Sequence, residues 1–293
     1  MRAAVLDVGS NTVRLLVAQE SNPGLKTIAA EGVHLGLASD IEQGGWISEA
    51  KLARAHELAA GFAGIARSRG AVTIEVVVTA PGRQSSNAAA LVAALEAGAD
   101  APVRVLSAEE EGSLAFAGAV GSLRSQPKSV AVCDVGGGST QLLAGTTDGP
   151  AWMRPLDVGS LRLTTRCLGS DPPTLAELNQ AREEVEAAFE SITPPLVHTV
   201  LATGGSARAL RRLFGRKLNA KELERALGIA ISMPSAKLAE THGLQPQRAR
   251  TLAGGTLILA EAQRRFGVPL KISREGLREG AILSLLSRAQ VAA

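Results

Sequence analysis

A ten-residue segment near the start of the chain recurs without gaps 127 residues later. Residues 7–16 are DVGSNTVRLL and residues 134–143 are DVGGGSTQLL, with Asp, Val, Gly, Leu and Leu identical. An interval of one domain length favours two related domains over a solenoid, whose repeats are shorter. The chain of 293 residues has room for two such domains.

Each copy joins two apolar strands through a short turn of small residues, which is the pattern of a hairpin. Further strands predicted over 72–79, 103–106 and 197–202 alternate with helices over 48–69, 84–97, 109–120 and 174–190. This alternation predicts α/β domains with mixed sheets. A Gly/Ser/Gln/Pro stretch at 121–128 places the boundary near residue 122. We therefore predict domains 1–122 and 123–293, with the helix after Gly276 a candidate to pack on the first domain.

Composition narrows the classes of partner. The chain has no Tyr, five Phe and two Trp, and it contains no dense basic block, so a nucleic-acid partner is disfavoured. Its net charge is +3, and most of its cations are Arg, which suits a polyanionic ligand. No apolar run reaches the roughly 18 residues of a membrane span. Two cysteines cannot form a disulfide framework, and a reduced cytoplasmic setting is expected.

Both copies of the repeat end a strand in Asp and continue into a turn of small polar residues. Such an Asp can hold a divalent cation, and the backbone N–H groups and hydroxyls of the turn can bind phosphate oxygens. The alternative is an ordinary hairpin turn with a structural Asp. The duplication, together with a third Gly-rich turn at Gly204-Gly205, favours phosphate binding.

Two further features carry charge beside predicted strand ends. Glu109-Glu110-Glu111 begins a predicted helix, where carboxylates usually complement the helix dipole and face solvent. The functional alternative is that one of them activates a water for phosphoryl hydrolysis. Arg83 follows a predicted strand, where it is either a phosphate ligand or a surface residue.

With these motifs, the chain resembles the exopolyphosphatase/guanosine pentaphosphate phosphohydrolase (Ppx/GppA) family. The resemblance extends over essentially the whole chain in order and spacing. It rests on segments 5–17, 79–87, 106–118, 133–142, 156–163, 202–210 and 276–280. It implies two ribonuclease-H-like domains of the actin-like ATPase superfamily with an interdomain cleft. It also implies hydrolysis of a phosphoanhydride in polyphosphate or guanosine pentaphosphate, with Mg²⁺. A homodimer is an open expectation, because the family is often dimeric.

The same resemblance assigns roles to individual residues. Glu111 falls on the water-activating glutamate, Asp134 on the metal-associated aspartate, and Asp7 on its counterpart in the first loop. The implied metal ligands are Asp7, Asp134 and Glu111. The implied phosphate-binding residues are Ser10, Asn11, Arg83, Gly136, Gly137, Gly138 and Ser139. Gly204 and Gly205 are added as candidates from the third Gly-rich turn.

One departure from the family pattern concerns the second loop, where Gln141 stands in place of the usual glutamate. An amide can accept a hydrogen bond or bind a metal through its carbonyl oxygen, but it supplies no negative charge and no base. The leading hypothesis, implied by the resemblance, is still a hydrolase with Glu111, Asp134 and Gln141 as its catalytic residues, and Gln141 is the feature that supports the first of the following alternatives. The alternatives are a weakly active or non-catalytic sensor of polyphosphate or (p)ppGpp, and a kinase or ATPase of the same superfamily.

Overall fold

The computed structural model describes residues 1–21, 24–123, 125 and 127–291. Its strands are β1 (Arg2–Val8), β2 (Thr12–Glu20), β3 (Leu25–His34), β4 (Thr73–Val78), β5 (Val103–Val105), β6 (Val130–Val135), β7 (Thr140–Thr146), β8 (Gly149–Leu156), β9 (Thr199–Thr203), β10 (Lys217–Leu218) and β11 (Leu270–Ile272). Its helices are α1 (Leu37–Gly44), α2 (Glu49–Ser68), α3 (Ala80–Gln84), α4 (Ala88–Ala99), α5 (Ala108–Gly121), α6 (Ser160–Cys167), α7 (Leu175–Ala188), α8 (Gly204–Phe214), α9 (Ala220–Ile231), α10 (Ser235–His242), α11 (Pro246–Arg250), α12 (Leu252–Phe266) and α13 (Leu277–Val291).

The chain divides into two compact units. Unit 1 comprises Met1–Ser122 together with Glu275–Ala293, and unit 2 comprises Leu123–Arg274. Helix α13 therefore belongs to unit 1, although the chain from Leu123 to Arg274 belongs to unit 2. Among the described helices, none combines the length and the apolar character needed to cross a bilayer.

Unit 1 is built on a five-stranded mixed sheet in the order β3-β2-β1-β4-β5. The first three strands form an antiparallel meander, and β4 and β5 join parallel to β1. Because alternate residues of a strand face opposite sides, β1 supplies both apolar layers. One layer contains Leu6, Val8 and residues of α2 and α4, and the other contains Ala3, Val5 and residues of α13.

Unit 2 repeats this plan in a six-stranded sheet of order β10-β11-β9-β6-β7-β8. Strands β6, β7 and β8 form an antiparallel meander, and β9 and then β11 extend the sheet parallel to β6. The hairpin of each sequence repeat therefore occupies the same place in its sheet. The predicted α/β class with mixed sheets is confirmed.

Helices α5 and α13 meet through glycine. A Cβ on Gly118 would overlap the carbonyl oxygen of Gly276, and a Cβ on Gly280 would overlap that of Leu114. The two helices can approach this closely only because neither glycine carries a side chain. This contact explains why the last helix packs on the first unit, where α13 also packs against β1.

The predicted helix over 84–97 differs from the observed structure. Helix α3 ends at Gln84 and α4 begins at Ala88, with Asn87 as its N-cap. The Asn87 side chain accepts a hydrogen bond from the backbone N–H of Ile47 at 2.9 Å and donates one to its carbonyl at 2.8 Å. This long-range pairing interrupts the helix. The Gly204-Gly205 segment, predicted as a turn, instead forms the first residues of α8.

Candidate active site

The two repeated turns share the same backbone hydrogen bond. The N–H of Gly9 donates to the carbonyl of Thr12 at 3.1 Å, and the N–H of Gly136 donates to that of Ser139 at 2.9 Å. At the strand end before each turn stands the repeated aspartate, Asp7 or Asp134. The sequence repeat is therefore a repeat of local geometry as well.

In unit 1 the turn is backed by the segment that joins β3 to α1. The N–H of Ala38 donates to the carbonyl of Ser10 at 2.9 Å, and those of Leu35 and Gly36 donate to the carbonyl of Asn11 at 3.0 and 3.1 Å. Ser10 and Asn11 are both buried. Because the C=O and N–H of a trans peptide point in opposite directions, the N–H groups that follow these carbonyls point away from the backing segment.

Lys51 fixes this backing segment, a role that the sequence analysis missed. Its Nζ donates to the Gly36 carbonyl at 2.6 Å, to Ser39 Oγ at 2.8 Å and to Asp40 Oδ1 at 2.6 Å. Burial alone would raise the pKa of Asp40. The hydrogen bonds from Lys51 and Ser48 lower it by more than burial raises it, so the pKa lies below its ordinary value. Lys51 is thus connected to the first turn through the backbone of Gly36. The carbonyl of Gly36 accepts from Lys51, and its N–H donates to the carbonyl of Asn11. The signal in the sequence is weak: Lys51 stands three residues after Ser48, the N-cap residue of α2, at the position where a capping box has Glu or Gln.

In unit 2 the N-terminus of α6 backs the second turn. The N–H of Ser160 donates to the Gly136 carbonyl at 2.9 Å, and those of Leu161 and Arg162 donate to the Gly137 carbonyl at 2.9 and 3.0 Å. By the same peptide geometry, the N–H groups of the next residues point away from α6. Successive N–H groups presented on one side of a glycine turn are a suitable arrangement for an anion.

Asp134 and Gln141 lie directly opposite each other on β6 and β7. Their neighbours Cys133 and Leu142 pack into the core of unit 2, so the Asp134 and Gln141 side chains share the other face of the sheet. Both are buried, and Gln141 has no exposed surface. Asp134 Oδ1 accepts a hydrogen bond from the hydroxyl of Thr203.

The amide of Gln141 is only half satisfied. Its Nε2 donates to Ser139 Oγ at 3.0 Å, while its Oε1 is buried without a hydrogen-bond partner among the described residues. A buried acceptor without a donor is costly, so a cation is a favourable occupant beside it.

Gly204 and Gly205 approach this region from β9. Gly204 has φ of +93°, and a Cβ there would overlap the carbonyl of Val135, which immediately precedes the second turn. Gly205 is covered by the guanidinium of Arg248. Close backbone packing therefore accounts for Gly204, and the Arg248 side chain occupies the space beside Gly205. The predicted contact of both glycines with phosphate stays a prediction.

The three consecutive glutamates at the start of α5 have different environments. Glu109 is exposed. Glu110 forms the capping box with Ser107, through bonds of 3.1 Å and 2.8 Å. Glu111 is only 5% exposed. Glu109 and Glu110 therefore fit the expected solvent-facing and capping roles, whereas Glu111 is buried and its role in activating water stays a prediction.

Arg83 holds the buried glutamate. Its Nη2 donates to Glu111 Oε2 at 2.8 Å, and its Nη1 donates to the carbonyl of Leu106 at 2.7 Å. Its side chain is 23% exposed, whereas that of Glu111 is 6% exposed. Arg83 is therefore partly open to solvent, and it bridges α3 to the strand end that precedes α5.

No three His, Cys, Asp or Glu side chains come together to hold a metal within the part of the chain that is described. The implied set of Asp7, Asp134 and Glu111 stays a prediction. Mg²⁺ in phosphate-processing sites often needs only one or two protein carboxylates, because substrate phosphates complete its shell. The Asp134 carboxylate and the unpartnered Gln141 carbonyl oxygen are hard oxygen donors that fit such an ion.

Comparison with known proteins decides the family. A model of the Ppx/GppA phosphatase family matches residues 16–289. The chain belongs to the Ppx/GppA phosphatase family. This establishes the predicted class of enzyme, a hydrolase of phosphoanhydride bonds.

Two curated relatives show the range of names within this family. An exopolyphosphatase 2 from Mycobacterium tuberculosis is 30% identical, over 97% of this chain and 98% of the relative. A guanosine-5'-triphosphate,3'-diphosphate pyrophosphatase from Aeromonas hydrophila is 23% identical, over 97% of this chain but only 59% of the relative.

Solved structures support the fold. The Ppx/GppA family member of Aquifex aeolicus superposes with a TM-score of 0.84 at 24% identity, covering 99% of this chain and 98% of that one. An exopolyphosphatase from Cytophaga hutchinsonii superposes with a TM-score of 0.86 at 19% identity, covering 98% of both chains. The likeness thus extends over nearly the full length of each protein.

Proposed function

We propose that this chain hydrolyses the terminal phosphoanhydride of inorganic polyphosphate, with guanosine pentaphosphate as the second candidate substrate. The observation that carries the proposal is the buried Glu111 carboxylate held by Arg83, on the residue that matches the family's water-activating glutamate. Polyphosphate is placed first because the exopolyphosphatase relative is more similar and matches over almost its whole length.

In this proposal Glu111 acts as the general base. It accepts a proton from a water whose oxygen attacks the terminal phosphorus, while the bond from that phosphorus to the bridging oxygen breaks. The products are orthophosphate and a chain shorter by one phosphate. Arg83 orients the carboxylate and has donors with which to bind a phosphate oxygen. Such hydrolysis depends mostly on positioning and charge stabilisation.

The backbone turns supply the remaining proposed contacts. The first turn would bind phosphate oxygens through Ser10 and Asn11, and the second through the segment Gly136–Ser139. Asp134 would hold Mg²⁺ with the Gln141 carbonyl, and Asp7 stays a candidate ligand. Mg²⁺, when bound, offsets phosphate charge and polarises a phosphoryl oxygen. Gly204 and Gly205 are proposed to lie beside the bound polyphosphate.

A second candidate function is supported by one residue. Gln141 is neutral and fully buried opposite Asp134, where the family usually has a glutamate. The protein could then bind polyphosphate or (p)ppGpp as a sensor with little turnover. If the protein is such a sensor, restoring the carboxylate by Gln141→Glu would confer the hydrolytic activity that the native protein lacks.

Phosphate release separates these functions. Long-chain polyphosphate and guanosine pentaphosphate are offered separately with Mg²⁺ to the native protein and to Gln141→Glu, and binding of each ligand is measured in parallel. Release by the native protein supports the hydrolase, and the ratio of the two rates identifies its substrate. Binding without release, with release by Gln141→Glu, supports the sensor and contradicts the hydrolase.

Two further proposals concern setting and assembly. Cys133 and Cys167 are both free thiols, which is consistent with the expected cytoplasmic location. A homodimer, and the absence of nucleic-acid or membrane partners, stay predictions.

A further inference from the structure

The strongest unexplained feature of the molecule is the unpartnered carbonyl oxygen of Gln141. The amide is completely buried, its nitrogen is committed to Ser139, and its oxygen has no donor in the described chain. In this arrangement Ser139 Oγ accepts from the amide nitrogen, and the carbonyl oxygen is the end left without a partner. The leftover group is an acceptor, on the same sheet face as the carboxylate of Asp134.

We propose that Gln141 makes metal binding conditional on substrate, so that Mg²⁺ binds firmly to this chain only together with a phosphate chain. This inference rests on the proposed function and deepens it, since it names how the site is regulated by its own ligand.

Charge is the physical reason. Residues directly opposite on antiparallel strands have Cβ atoms about 5 Å apart, so Asp134 and Gln141 can contribute oxygens to one ion. Their combined charge is one negative, because the amide is neutral. Mg²⁺ gives up its water reluctantly and favours charged oxygens. A single carboxylate and a neutral carbonyl bind it weakly, and phosphate oxygens supply the missing negative charge.

Gln141 also differs from a carboxylate in the ion-free protein. Two carboxylates buried opposite each other would repel when no cation lies between them. The amide removes that repulsion and leaves only one unsatisfied atom. The free protein is thus stable without metal, and it gains a strong cation site when phosphate arrives.

The test is metal binding without turnover. Thermal unfolding of the native protein, Gln141→Glu and Gln180→Glu is followed with Mg²⁺, with and without saturating methylenediphosphonate, a phosphate-chain analogue that cannot be hydrolysed. Gln180 is exposed on α7, so Gln180→Glu adds the same charge away from the site. Mn²⁺ affinity of each free protein is measured by calorimetry.

The native protein and Gln180→Glu are expected to be stabilised by Mg²⁺ only when the phosphonate is present. Gln141→Glu is expected to respond to Mg²⁺ alone and to bind Mn²⁺ at least about tenfold more tightly. An equal response of Gln141→Glu and the native protein to Mg²⁺ alone would overturn the proposal.

Gln141→Leu keeps the test decisive if the buried carboxylate prevents folding. It removes the carbonyl oxygen and leaves an apolar side chain of similar size. Its Mg²⁺-dependent stabilisation in the presence of phosphonate should be lost, and full retention would overturn the proposal. Since no hydrolysis is measured, failure here leaves the hydrolase proposal standing, and an inactive protein can still show conditional metal binding.

Discussion

Arg83 Nη2 lies 2.8 Å from Glu111 Oε2 and forms an ion pair with a carboxylate that is almost fully buried. The same guanidinium donates from Nη1 to the carbonyl of Leu106 at 2.7 Å. Leu106 stands just before the capping residue of α5, so one arginine fixes both the start of the helix and its buried glutamate.

Removal of the Arg83 side chain should destabilise unit 1. Arg83→Met leaves the Glu111 carboxylate buried without its counter-charge, at a cost on the order of 3 kcal/mol in the free energy of unfolding. Urea unfolding measures this cost. Glu111→Gln should cost less, because the amide oxygen still accepts from Arg83.

The double variant distinguishes coupling from independent effects. The double variant Arg83→Met/Glu111→Gln should lose less stability than the sum of the two single changes. The reason is that the double variant has no buried Glu111 carboxylate left without a counter-charge. Additive losses would contradict the coupling of these side chains.

The glycine contact between α5 and α13 should tolerate no side chain. Gly118→Ala and Gly280→Ala would each drive a methyl group into backbone atoms of the facing helix. We expect losses of about 1–3 kcal/mol in the free energy of unfolding. Gly61→Ala on α2 is the matched control, because open space surrounds a Cβ there. It should stabilise the protein by about 0.5–1 kcal/mol. Equal effects at all three positions would refute close helix packing.

The Asp40 carboxylate should contribute pH-dependent stability. Its folded pKa lies below the ordinary value of 3.8, as hydrogen bonds from Lys51 and Ser48 outweigh the opposing effect of burial. A lowered folded pKa gives stability that is present above the ordinary pKa and lost as pH falls through the lowered one. The difference in unfolding free energy between the native protein and Asp40→Asn should therefore be largest above about pH 5. This difference should shrink on acidification below pH 4. A difference that does not change with pH would argue against the hydrogen bonds of Asp40 with Lys51 and Ser48.

Both thiols should be unreactive in the folded protein. Burial and the neighbouring Asp134 raise the pKa of Cys133. Burial, with a hydrogen bond from Cys167 Sγ to Glu184 Oε2 at 3.2 Å, raises the pKa of Cys167 to about 12. A colorimetric disulfide reagent at pH 8 should label neither thiol in the folded protein and both in urea, because the thiolate is the reacting form. Rapid labelling of Cys133 without denaturant would mean that β6 opens readily.

Local features of the fold were predictable from the sequence. The hairpin repeats, the helix predicted over 48–69 and the α/β alternation depend on neighbouring residues. The observed helix Glu49–Ser68 lies within one residue of that prediction at each end. The edge strands β3 and β8 were not predicted. Their partly exposed residues lack a regular alternation, and each is bulged against its partner.

Long-range contacts account for what the sequence could not show at the candidate site. The run of three glutamates does not by itself show which one is buried. The family resemblance assigns a role to Glu111, and the fold adds that Glu111 is buried beside Arg83. The α5–α13 contact joins residues more than 150 positions apart. Lys51 is linked to the first turn only through the backbone of Gly36. The substitution at Gln141 was visible in sequence, but its unpartnered oxygen depends on the buried β6–β7 pairing.

The central claim is that Glu111 activates water, and the most direct measurement is phosphate release from polyphosphate by Glu111→Gln. Glu109→Gln, two positions earlier and exposed, is the matched control. We predict that Glu111→Gln lowers kcat by about 10²–10⁴-fold, with polyphosphate binding and folding retained. Glu109→Gln should keep the native rate. A Glu111→Gln protein that releases phosphate at the native rate would contradict the account.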